Sequence, residues 1–255
     1  MKHPDRIRDS IARFERGFWG RQTLDRPPIG VAADRAWLPI GYLRQTLERE
    51  QLRPDDVTPG LARTDYEDAF AERPVISDDW MPFSAAWRAV PWLEAICGCA
   101  VRCAAGSLAP HRSVDKVDGL ERAPIPANTG WLDCLWRQTA ALAASVPDDC
   151  WTSTTILRGA SDVLAAMRGL NEFFLDLRDD PGRLADAAAR ITRLHGEILD
   201  RHFSMVKPKW GGYGHIFGYW APGPTTVLQE DALGMCAPRI YRDLFAHYTA
   251  EIARH

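Results

Sequence analysis

One stretch constrains the fold more than any other. Residues 150–157, CWTSTTIL, form a β-branched run bounded by turn signals, and residues 160–206 then read as almost unbroken helix. The run is apolar and hydroxyl-bearing without a strict in–out alternation, as expected of a strand covered on both faces. The same order of strand and then helix recurs elsewhere. A short apolar run from Ile29 to Ala33 reads as a first buried strand, and PVISDDWMP (residues 74–82) as a second. HIFGYWAPG (residues 215–223) reads as a late strand, and residues 238–255 as an amphipathic helix. Strands that alternate with helices point to an α/β protein with a parallel sheet, either open or closed into a barrel.

The remaining segments are less regular. Ile7, Ile11, Phe14 and Phe18 recur at helical spacing in an opening helix over residues 4–19. Residues 54–72 predict a helix and a loop, and residues 85–97 a helix interrupted at Pro91. Residues 98–129 mix Gly, Pro and Ala with short strand-like pieces, and residues 130–145 predict a helix carrying Leu132, Leu135, Trp136 and Leu142. Asp180-Pro181 marks a break in the long helical region, with the proline suited to a helix's first turn. The chain reads as a single domain over residues 1–255, without repeats or a linker.

Composition narrows the function classes. The chain is 46% hydrophobic and 25% charged, with 31 basic and 34 acidic residues and a formal net charge of −3. The charges are spread along its length, which argues against nucleic acid or a membrane surface as partner. The N-terminus is charged from its second residue and lacks an apolar core, so it is not read as a secretory signal. Six cysteines without such a signal suggest reduced thiols and a cytoplasmic location. No GxGxxG or Walker loop follows any strand, which weakens a nucleotide-binding reading.

Two longer stretches carry a resemblance. RGASDVLAAMRGLNEFFLDLRDDPGRLADAAARIT, from Arg158, and GYWAPGPTTVLQEDALGMCAPRIYRDLFAHYTAEI, from Gly218, are similar to the uroporphyrinogen decarboxylase superfamily. That family has a glycine loop leading into a helix and a "dLrDDP" break into a long helix. A strand-loop with an acidic site motif and an "SP-x-x-[YF]" helix opening follow. SDDWMPFSAAWRAVPWLEAICGCAVRCAAGS resembles the segment after the family's second strand. The resemblance runs over essentially the whole chain and is strongest from Arg158 onward.

The resemblance implies a (β/α)8 TIM barrel with its site at the C-terminal ends of the strands. It also implies that the barrel is incomplete here, lacking its final strands. The family's branches are porphyrinogen decarboxylases and corrinoid- or cobalamin-dependent methyltransferases. The resemblance implies no cofactor within this chain, because the methyltransferases' zinc is held by a late His-x-Cys and a distant Cys without counterpart here; in a full-length methyltransferase-type protein it implies zinc. The expected partners are a small-molecule substrate, either a tetrapyrrole or a methyl donor, a corrinoid protein, and a second copy in a homodimer.

A standard porphyrinogen decarboxylase is disfavoured, since of its arginine-bearing segment only Arg35 and Leu38-Pro39 remain. Its helix tyrosine falls near Ala165 or Ala166, and its serine at Asp231. The expected function is corrinoid-linked methyl transfer or decarboxylation of a tetrapyrrole-like acid. The alternatives are a non-catalytic binding barrel and an inactive fragment.

Candidate site residues follow from these positions. Asp231 and Gln229, in the QED that follows a strand, are candidate catalytic groups; otherwise Asp231 caps a helical turn and Glu230 is solvated. Asp79 (or its neighbour Asp78) ends an apolar run, as a catalytic carboxylate or a helix cap. Arg35 and Arg158 are candidate substrate-binding cations, and Arg158 could instead pair with Asp162. Tyr219 and Trp220, with Trp210 and Tyr213, suit either an aromatic mouth for a flat ligand or strand packing. No metal ligands are assigned. Cys97, Cys99 and Cys103 match no common zinc spacing and read as buried thiols, and His195 and His202 share one helix face as a surface or packing pair.

Overall fold

The computed structural model describes residues 4–31, 49–60, 66, 78–104 and 107–254. Strand β2 (Phe83–Ser84) pairs in parallel with β5 (Trp151–Thr152), and β6 (Ile156–Arg158) pairs in parallel with β9 (Val227–Gln229). Because β5 and β6 are successive parts of one extended run, that run joins the two pairs. The Ser153 N–H donates to the Ser84 carbonyl at 2.8 Å, and the Gly159 N–H to the Gln229 carbonyl at 2.7 Å. Three parallel segments therefore stand side by side in chain order, with helices between them in sequence.

The α/β expectation holds. Among the described residues the ladders remain short and separate, and they do not trace a closed ring. A three-stranded antiparallel sheet in the order β1–β3–β4 stands apart from the parallel pairs; it comprises β1 (Gln51–Leu52), β3 (Ala100–Ala104) and β4 (Ser107–His111).

Among the described residues the α-helices include α1 (Pro4–Arg13), α2 (Trp92–Ile96), α3 (Gly119–Arg122), α4 (Thr129–Ser145), α5 (Ala160–Arg168), α6 (Leu170–Asp179), α7 (Pro181–Met205), α8 (Pro238–Ile240) and α9 (Ala246–Ile252). The largest core lies between them and one face of β6: Leu157 is 1% exposed and packs in one cluster with residues of α2, α4, α5 and α7. On the other face, Ile156 and Val227 pack against Trp80, Phe83, Ala85 and Ile216. This is the period-two alternation of a strand with both faces covered. A third cluster joins Ile7 and Phe14 to Met81, Trp151 and Trp220. It seals the end of the sheet where β5 begins. No helix among the described residues is long and apolar enough to cross a membrane.

Several boundaries depart from the sequence expectations. Residues 29–31 do not form a strand: Ile29 and Val31 are half-exposed, and the backbone hydrogen bond there is the Asp79 N–H donated to the Ile29 carbonyl, not a strand ladder. Residues 32–33, most of 54–72, and 74–77 lie outside the described residues. The helix expected over 85–97 is confined to α2, since Pro91 opens the helix instead of interrupting it. Residues 215–219 form a turn, and only Trp220–Ala221 (β8) is strand, paired with β7 (Tyr213–Gly214).

The break at Asp180-Pro181 is where expected. A second break falls at Gly169, whose φ of +93° is disfavoured for residues with a Cβ. A buried ion pair spans that corner, with Arg168 Nε 2.6 Å from Asp176.

Candidate functional site

In a parallel strand pair, register partners project to the same side. Arg158 is the partner of Gln229, so the two side chains leave the C-terminal ends of β6 and β9 together, on the face opposite Leu157 and Leu228. The next residue, Glu230, turns its carboxylate onto the start of α5. There its Oε2 accepts from the Ser161 backbone N–H at 3.1 Å and from the Ser161 hydroxyl. The helix N-terminus offers unpaired N–H groups and a positive dipole end, which suits an anion.

Asp162, one residue further, accepts from the Ala232 N–H at 2.7 Å and ties the turn after β9 to α5. Beneath Arg158 lies Glu94 of α2. This carboxylate is fully buried and stands 3.0 Å from the Arg158 guanidinium, a charge contact without hydrogen-bond alignment. Arg158 thus pairs with Glu94, and not with Asp162 as the sequence spacing allows.

The electrostatics of this end are set by burial. Burial raises the Glu94 carboxyl, against the pull of Arg158, and raises Asp162 against backbone donors from Ala232 and Asp231. It also pushes Glu230 up to about 6, with the Asp162 charge adding to the effect and the Ser161 donors opposing it. Asp231 is exposed, and its carboxylate is bonded by the Gln229 side-chain amide.

The other candidates do not join this group. Asp79 lies four residues before β2, at the opposite end of the parallel segments from Arg158 and Gln229. It is clamped there by Arg26, by the Ile29 N–H at 2.9 Å, and by Arg13 at 3.6 Å. Burial works to raise its carboxyl, but Arg26, the Ile29 donor and the Arg13 charge outweigh that and hold it below the usual range. Asp78 accepts from the Val31 N–H. Both aspartates fasten the segment that follows the opening helix.

Tyr219 and Trp220 share this end. Trp220 is 3% exposed in the cluster with Ile7 and Phe14, and the Tyr219 ring stacks on His215 at 4.0 Å and on Phe18 at 5.8 Å. Of the two readings for these aromatics, the geometry gives packing. Arg35 lies outside the described residues.

The expectation of buried thiols is met at Cys97 and Cys99. Burial pushes Cys99 up to about 12 and Cys97 up as well. Among the described residues no group of three or more His, Cys, Asp or Glu is placed to hold a metal. His195 and His202 are both buried packing residues.

The structure brings the QED loop and Arg158 together at these strand ends and adds Glu94 and Asp162, which the sequence reading did not place there. A weak signal existed for Glu94: it is the one carboxylate within the apolar stretch PWLEAIC. Gly159 was the signal for Glu230. A Cβ there would come within 1.9 Å of the Glu230 Oε1, so glycine is what admits the carboxylate.

No protein-family model matches the chain, and no curated protein matches it by sequence. Solved structures do match. A methyltransferase from Methanosarcina mazei aligns with a TM-score of 0.63 at 12% identity, over 96% of this chain and 66% of its own length. The chain thus spans just under two thirds of that structure. At such low identity the likeness is one of architecture, and on that ground the chain has a methyltransferase-like fold.

Proposed function

We propose that the chain is part of a (β/α)8-barrel domain of the uroporphyrinogen decarboxylase superfamily and that it serves methyl transfer at the C-terminal ends of β6 and β9. The observation that carries this reading is the paired projection of Arg158 and Gln229 from adjacent parallel strand ends, with Glu230 beside them. Barrel enzymes place their reacting groups at that end. The likeness to a methyltransferase supports the reaction class, and the acidic surroundings of Arg158 speak against an octacarboxylate substrate.

In this reading Arg158, held from below by Glu94, presents its outer N–H groups to a polar group of the methyl donor. Gln229 supplies an amide donor or acceptor next to it, and Asp231 orients Gln229. The methyl acceptor is a reduced corrinoid carried by a partner protein.

The test is methylation of cob(I)alamin by a panel of methyl donors, including methanol, methylamine and 2-methoxyphenol, followed in the visible spectrum. Turnover with one of them is expected, and Arg158→Ala should lower it about ten- to a hundredfold, as for the loss of a charge-assisted hydrogen bond. Decarboxylation of a porphyrinogen without methyl transfer would move the chain to the other branch. Binding of cobalamin without turnover would make it a binding barrel.

A further inference from the structure

Glu230 is held at the start of α5 chiefly through one of its oxygens, with the Asp162 backbone N–H also acting on the carboxyl. Its Oε2 is anchored by both Ser161 donors, whereas its Oε1 lies over Gly159, where any Cβ would collide with it. The charged group that faces it is Asp162 on α5; Arg158 on β6 and Asp231 on the same turn act on Asp162, and Arg158 and Asp162 act on Glu94 of α2. Arg158 is already engaged by Glu94, which leaves Glu230 beside Asp162 with no cation of its own among the described residues. Two carboxylates in one half-buried site favour keeping a proton on one of them.

We propose that Glu230 is the acid–base residue of this site, with Oε2 anchored on Ser161 and the transferable proton on Oε1. The assignment rests on the methyl-transfer reading. In that reaction the bond between the methyl carbon and the donor's oxygen or nitrogen breaks, and both electrons stay on the heteroatom. The methyl carbon bonds to the reduced corrinoid. The proton on Glu230 Oε1 passes to the heteroatom, which leaves as the neutral demethylated donor (water from methanol, ammonia from methylamine, catechol from 2-methoxyphenol), and the resulting carboxylate is reprotonated from water. Asp162 is a positioning residue, since its charge keeps the proton on Glu230. Ser161 acts in the opposite sense, because its donors favour the carboxylate.

The experiment pairs a carbon-13 NMR titration of the glutamate carboxyls with the pH profile of cob(I)alamin methylation. In the wild-type protein, one glutamate absent from Glu230→Gln should titrate near 6. Ser161→Ala should move it upward and Asp162→Asn downward, and the asparagine oxygen can still accept from Ala232. The inflection of the pH profile should move with it in both variants, and Glu230→Gln should lose turnover about a hundredfold at every pH. A Glu230 that titrates with the ordinary glutamates overturns the assignment, as does a Glu230→Gln variant with wild-type turnover. The titration reads the carboxyl independently of any methyl donor, so failure of the methyl-transfer reading is told apart from failure of this one.

Discussion

The two ends of the parallel segments use the same residue types in opposite ways. Where β5 begins, Asp79 is a carboxylate saturated with partners: two arginines and a backbone N–H hold it ionised, and they fasten the chain around Arg26 to the sheet. Where β6 and β9 end, Glu94 and Asp162 share the charge of Arg158, Glu230 stands beside Asp162, and burial raises all three carboxyls. The first arrangement serves the fold. The second costs folding free energy, since carboxylates in a poorly compensated, half-buried setting are disfavoured relative to water. A carboxylate's role in this fold follows from which end of the strands it occupies and from how many donors meet it.

The sharpest way to break the comparison is to remove an acid from the fastening end. Asp79→Ala leaves Arg13 and Arg26 facing a buried gap and the Ile29 N–H without its side-chain acceptor. Loss of one partner of a buried pair typically costs 3–5 kcal/mol, and water at the partly exposed Arg26 trims this to about 3 kcal/mol. Chemical denaturation at pH 7 should show that loss, whereas an unchanged midpoint would deny Asp79 its fastening role. The wild-type contribution of Asp79 should be complete above the unfolded carboxyl pKa of about 4 and vanish as pH falls through its lower folded value.

At the other end the sign reverses. The Glu230 carboxyl is raised from 4.5 to about 6, so its contribution to stability falls as pH rises through that window, by about 2 kcal/mol in all. Glu230→Gln removes the penalty. It should therefore unfold at higher temperature than wild type at pH 8 and show no gain at pH 4.5. A gain equal at both pH values would deny the raised pKa.

The smallest effect sharpens the contrast between two glycines. A Cβ at Gly214 would meet the Trp151 Cβ at 2.4 Å inside the core, whereas at Gly159 it meets only the side chain of Glu230, which has rotatable bonds to give way. Gly159→Ala should cost less than about 1 kcal/mol while returning Glu230 toward an ordinary titration. Gly214→Ala, at a tightly packed site, should cost several times as much. Thermal melts of the two variants, with the NMR titration of the first, decide it.

What was legible in the sequence follows the same division. The run at 150–157, the helix at 129–145 and the break at Pro181 could be read because local propensity and burial agree there. Asp79 was misplaced because PVIS looks like a strand ending at the aspartates, while the pairing occurs further on, at Phe83–Ser84. The partners that decide its role are 53 and 66 residues away, at Arg26 and Arg13, where no periodicity points. Glu94 was hidden by its neighbours, since PWLEAIC reads as a core helix and the cation that engages it comes from a later strand. Residue types and loop positions were readable. Charge pairing across the fold was not.

One further consequence concerns the order in which the molecule can assemble. The run from Trp151 to Arg158 pairs at its start with β2 and at its end with β9, about 70 residues away on either side. Neither pair is local, so each must close a long loop before its contacts repay the entropy, and folding is expected to be slow for that reason. During synthesis, Glu94 and Arg158 emerge well before Val227–Gln229. The arginine can then meet its buried carboxylate early, while the carboxylate-rich end takes shape only when the last of the three parallel segments has left the ribosome.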